Sequence, residues 1–228
     1  MIEPSAGPAA ATANAARGLI VATLGDSITA GTPGWDPNPA VREAEAATDP
    51  QSQYQYWAAL KHPDLEITNH GINRQRTDEI AARLEAAAQG ARVIVLQGGI
   101  NDIVQGRAIE DAASNMDSMV AAALAFGLRV LIAELLPWNN GWPDGDPKIV
   151  ALNGLYRDGA ESRGVSVLPF YATLEDPSRP GRMREEWTSD GNHPSVEGYR
   201  RLGEVAFALP ADTSYRYAGR PRVLPSRS

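Results

Sequence analysis

Three observations predict an α/β protein: a single-domain, three-layer α/β/α architecture around a flavodoxin-like, doubly wound sheet of five parallel strands. Short apolar, β-branched runs recur along the chain. Longer stretches of helical pattern separate them, and 228 residues suit one hydrophobic core.

The elements follow in order. Residues 1–17, rich in Ala and Pro and with an early acid at Glu3, form a loose leader without the apolar core of a signal peptide. The first strand spans 19–24 and runs into Gly25. A helix at 52–61 precedes the second strand, 65–69. Thr77-Asp78-Glu79 then opens a helix over 77–89, with a capping hydroxyl and early acids suited to the positive end of the helix dipole. The third strand is 93–97. The next helix, 107–126, stops at Gly127, the fourth strand is 129–135, and a helix at 147–163 leads to the fifth strand, 165–170. A last helix covers 195–208. The domain is therefore expected over 18–209, followed by a tail at 210–228 with net charge +3 against −10 for the rest of the chain.

Composition excludes much chemistry. There is no cysteine, so a thiol nucleophile, a disulfide framework, a thiolate zinc site and an iron-sulfur cluster are all ruled out. The three histidines, His62, His70 and His193, lack the spacing of a helical zinc motif, and neither a metal nor any other cofactor is expected. A net charge of −7 argues against a nucleic-acid partner. Apolar runs fall short of a membrane span, so the chain is expected to be soluble, and the lack of a visible signal peptide favours the cytoplasm. The expected partner is a small-molecule or carbohydrate ester, and nothing in the sequence reports an oligomeric state.

In doubly wound sheets ligands bind beyond the carboxyl ends of the strands. Just there stand Gly25-Asp26-Ser27-Ile28-Thr29 after the first strand, Asn69-His70-Gly71 after the second and Gly98-Gly99-Ile100-Asn101-Asp102 after the third. Asp190-Gly191-Asn192-His193-Pro194 precedes the last helix. Each alone is an ordinary turn or cap. Taken together and in this order, they resemble the four blocks of the SGNH hydrolases, the GDSL esterase and lipase family, across residues 19–208. One departure stands in the second block, where Arg74 occupies the place of a second glycine. Arg74 and Arg76 either bring positive charge to the site or pair with Asp78 and Glu79, and pairing is the simpler reading.

The resemblance implies a serine esterase. Ser27 would be the nucleophile, His193 its base, and Asp190 the residue that holds the imidazole in the required tautomer. The resemblance also implies an oxyanion hole built from the N–H of Ser27, the N–H of Gly71 and the amide of Asn101. The α/β-hydrolase elbow does not apply, because Thr29 stands where that motif needs glycine. Asp26 and Asp102 read equally as supports of the site or as turn and cap residues.

Specificity is expected from three long loops, 31–51, 137–146 and 174–189. These carry Trp35, Trp138, Trp142 and Trp187, which could stack on sugars, line an acyl pocket or anchor the loops. The leading expectation is an esterase for short acyl groups of the acetyl type, carbohydrate esters included. A thioesterase or lysophospholipase specificity on the same site is the alternative within the family. The alternative from another class is a flavodoxin-like binding module without catalysis, which would leave Asn101 and the Asp190–His193 pair unexplained.

Overall fold

The computed structural model describes residues 18–45 and 47–210. The leader and nearly all of the basic tail lie outside the described residues. Five strands, β1 (Leu19–Gly25), β2 (Leu65–Gly71), β3 (Val93–Leu96), β4 (Arg129–Ala133) and β5 (Ser166–Leu168), form one parallel sheet in the order β2-β1-β3-β4-β5. This is the expected doubly wound arrangement, and it brings the ends of β1, β2 and β3 side by side.

Alternate residues of each strand feed two cores. Ala22, Leu24, Ile94, Leu96 and Val130 face one helical layer. Val21, Val93, Val95 and Leu131 face the other. The first layer includes α4 (Thr77–Ala81), α5 (Leu84–Ala87), α7 (Ile109–Ala125) and α8 (Asp146–Arg163). The second is built from α3 (Tyr54–Lys61), α9 (Phe170–Leu174) and α10 (Val196–Arg201). Because both faces are covered, the strands read as apolar runs rather than as polar–apolar alternation. Each fully buried side chain of the size of Leu24 or Leu96 contributes roughly 1.5–3 kcal/mol.

Several boundaries differ from expectation, each for a local reason. The helix expected over 77–89 is two short helices. At the break, Arg83 N–H bonds Ile80 O three residues back, while the Arg83 side chain reaches the carbonyls of His70 and Gly25. Thr77 is not the cap: Arg76 holds that position, its N–H donates to Glu79 Oε2, and Thr77 is bound to Asp102 instead. The last helix gives way after Arg201 to one wide turn, Leu202–Ala206, where Gly203 lies against the Tyr54 carbonyl and the Trp57 side chain.

All three long loops carry unforeseen structure, the 137–146 loop a single 3-10 turn at Asn139–Gly141. Helix α2 (Pro39–Glu45) buries none of its residues and so has no apolar period to reveal it. An antiparallel pair, β6 (Glu175–Asp176) and β7 (Arg179–Met183), is tied at its turn by Arg179 on Asp176 and anchored in the second core by Met183. Among the described residues no helix is long and apolar enough to cross a membrane.

Candidate active site

The turn from β1 into α1 (Ser27–Ala30) is set by Asp26, whose Oδ1 accepts the N–H of Ile28 at 2.9 Å as the helix cap. Ser27 is therefore the first helical residue. Its own N–H engages no other group among the described residues. Gln97, at the end of β3, clamps the turn from the far side, its Oε1 accepting Asp26 N–H at 3.3 Å and Thr29 Oγ1 at 2.9 Å. The sequence reading assigned Gln97 no role there, because glutamine at a strand end carries no motif.

Asp26 is fully buried and its Oδ2 has no hydrogen-bond partner among the described residues. Burial pushes its carboxyl up to about 6, against the opposing pull of the Ile28 N–H, Gln97 and His193. A carboxyl raised on folding stabilises the native state fully below the unfolded value near 3.8, and that contribution is lost as pH climbs to about 6. Asp26→Asn keeps an acceptor for Ile28 and removes the titration. Denaturant unfolding at pH 4 and pH 8 should therefore show the variant gaining about 2 kcal/mol on the parent between the two. Parallel pH dependences would refute this assignment.

The loop before α10 delivers the histidine. Asp190 Oδ1 accepts the N–H of both Asn192 and His193 at 2.8 Å, folding the segment into one tight turn. Asp190 Oδ2 then lies 2.8 Å from His193 Nδ1, and His193 Nε2 lies 3.2 Å from Ser27 Oγ, across 166 residues of sequence. Burial opposes the charge on Asp190, yet the hydrogen bonds from the His193 ring and the two backbone N–H groups hold its carboxyl below the usual range. The turn is pinned further by Trp138 Nε1 and Asn140 Nδ2, which donate to Asn192 Oδ1 at 2.6 and 2.9 Å. Asn192 and Asn140 are further residues that the sequence reading did not single out.

After β3, Asn101 sits in the first turn of α6 (Ile100–Val104), and its Nδ2 donates to Gln75 O at 2.9 Å. An amide has two such hydrogens, so one orients the group and one is left for a ligand. Asp102 is buried and accepts both the N–H and the hydroxyl of Thr77, tying this block to the second.

Gly71 departs from expectation. Its N–H donates to Asn69 Oδ1 at 2.9 Å, and it does not line the cleft that holds Ser27. It is glycine because a Cβ there would lie 2.1 Å from Ala30 N. Arg74 lines the cleft in its place, at φ 68°, with an N–H that engages no other group among the described residues. Arg76 does pair with Asp78 and Glu79, but Arg74 does not.

The cleft encloses about 230 Å³, with Ser27, Asn101 and His193 beside an apolar wall that includes Ile28, Ile100 and Leu135. The four loop tryptophans divide. Trp138 lines the cleft, whereas Trp35 lies under the Arg42 guanidinium, Trp142 under that of Arg182, and buried Trp187 against those of both Arg184 and Arg201. Trp35, Trp142 and Trp187 are thus packed by arginines rather than turned to the cleft. His70 lies outside it, 3.0 Å from Thr68 Oγ1, and burial followed by the nearby Arg83 charge holds its pKa down. His62 is half-buried and packs near Phe207.

This sheet order and the residues gathered at its carboxyl edge define a three-layer α/β/α ester hydrolase. The chain belongs to the GDSL-like Lipase/Acylhydrolase family, whose model matches residues 23–201. Among solved structures it is similar to a G-D-S-L family protein from Desulfitobacterium hafniense, with a TM-score of 0.67 and 22% identity over 81% of this chain and 95% of that one. It is also similar to a member of the lipolytic protein G-D-S-L family from Veillonella parvula (TM-score 0.66, 20% identity, 81% and 94%). A GDSL-like lipase from Bacteroides thetaiotaomicron gives 0.60, with 20% identity over 81% and 83%. At these identities the likeness is one of fold. Comparison with curated proteins finds no match.

Proposed function

We propose that this hydrolase cleaves short-acyl carboxylic esters through a Ser27–His193–Asp190 triad. The observation that carries the reading is the unbroken chain of contacts from Asp190 Oδ2 through the imidazole to Ser27 Oγ at the wall of the cleft. Ser27 Oγ attacks the acyl carbon while His193 Nε2 takes its proton. The tetrahedral intermediate collapses to an acyl-serine as His193 returns the proton to the departing alcohol. Water, deprotonated by the same nitrogen, then releases the acid.

The oxyanion is assigned to the N–H of Ser27, the free amide hydrogen of Asn101 and, in place of Gly71, the N–H of Arg74. All three residues line the cleft. Removing one such donor costs about 3 kcal/mol, so Asn101→Ala should lower kcat roughly a hundredfold or more. A change of less than threefold in steady-state kcat would remove Asn101 from the hole.

The modest size of the cleft supports a short acyl group, and Trp138 is the one loop tryptophan placed to line an acyl pocket or stack on a sugar. A p-nitrophenyl ester series tests the reading. Turnover should be highest between acetate and butyrate and fall with longer chains. A maximum at dodecanoate would shift the reading to long-chain lipid or thioester substrates on the same site.

A further inference from the structure

Along the carboxyl edge of the sheet the strand order sets out four groups of residues. Asn73 and Arg74 follow β2, Ser27 follows β1, Ile100 and Asn101 follow β3, and Leu135–Trp138 follow β4. Ser27 therefore stands between an apolar side, on β3 and β4, and a polar side, on β2. Arg74 is the one arginine, lysine or acid lining the cleft among the described residues, and its exposed side chain makes no ion pair and no hydrogen bond there. The neighbouring cations are already committed. Arg76 and Arg107 are held by Asp78, and Arg83 is bonded to the carbonyls of His70 and Gly25. The acids Asp36 and Glu45 line a separate hollow of about 460 Å³ that shares Asn73 as a wall.

We infer that Arg74 selects esters carrying an oxyacid anion, a carboxylate or a phosphate, on the alcohol portion, with the acyl group lying against the Ile100–Trp138 side. A guanidinium offers paired N–H donors that match either anion. Its backbone supports the same reading. A non-glycine residue at φ 68° sits in a sparsely populated region, so the chain holds this side chain on the rim of the cleft at a conformational cost.

This inference rests on the Ser27 reading, and the test separates the two. Four butyrate esters are compared: 3-carboxyphenyl, 3-phosphonophenyl, and the neutral 3-carbamoylphenyl and 3-methoxyphenyl. The parent enzyme should favour the anionic esters in kcat/KM. Arg74→Asn, a residue that tolerates positive φ, should lower the anionic-to-neutral ratio about tenfold, and Arg74→Lys should restore part of it. The difference between the carboxylate and phosphonate arms names the anion preferred. The parent's preference should also weaken as salt is raised. A ratio unchanged in Arg74→Asn, with the variant folded by its melting curve, overturns the role of Arg74 alone. Failure of the parent to hydrolyse any of the four esters would overturn the Ser27 reading, and the inference with it.

Discussion

Ser27→Ala is expected to lower ester turnover by on the order of 10⁶-fold, the loss typical of removing a serine nucleophile from a working triad. The fold should survive. Among the described residues the Ser27 hydroxyl bonds only His193 Nε2, while the helix cap is supplied by Asp26 and the clamp by Gln97. Steady-state kinetics with p-nitrophenyl butyrate beside a thermal melt would check both halves. Labelling by a fluorophosphonate, located by peptide mass, should fall on Ser27 in the parent and vanish in the variant. Undiminished hydrolysis in Ser27→Ala would sink the covalent mechanism.

Asp190→Asn should cost on the order of 10⁴-fold in kcat, and for a subtler reason. The asparagine oxygen can still accept the N–H groups of Asn192 and His193, so the turn is kept. At the second position, however, an N–H₂ would replace Oδ2 and donate to His193 Nδ1. The ring proton must then move to Nε2, which faces Ser27 as a donor and can no longer take its proton. Kinetics across pH 6–9 would reveal the loss, with KM little changed. A loss below tenfold would reduce Asp190 to a residue that shapes the turn.

How legible the molecule was depended on how far each signal reaches along the chain. Strands were readable because a strand covered on both faces is apolar nearly throughout, as 93–96 is and as 19–24 is apart from Thr23, whose hydroxyl bonds the Thr68 carbonyl. Helix α8 was readable because Pro147 near its start and Gly164 after its end obey local rules. The antiparallel pair at 175–183 gave no such signal, since Met183 is its one large apolar side chain and a single residue makes no period.

Within the candidate site, Ser27, Asn101, Asp190 and His193 were all named from sequence; Ser27, Asn101 and His193 line one cleft, and Asp190 lies behind His193 on its Nδ1. Gly71 was misplaced. Its glycine character answers the close approach of Ala30, a contact between segments 41 residues apart that no local pattern records. The roles of Gln97 and Asn192, and that of Asp102 as an anchor for Thr77, depend equally on partners distant in sequence.

The sequence by itself determined the α/β class, the order of the blocks and the residue types able to carry acyl transfer. All of these depend on local periodicity and on what a side chain can do chemically. Only the tertiary structure decided which N–H groups are free, which tryptophans meet the cleft, and that Arg74 stands uncommitted beside Ser27. Those outcomes depend on hydrogen bonds and packing between distant segments, where a single close contact, such as Gly71 on Ala30, decides whether a backbone group faces a ligand or the core.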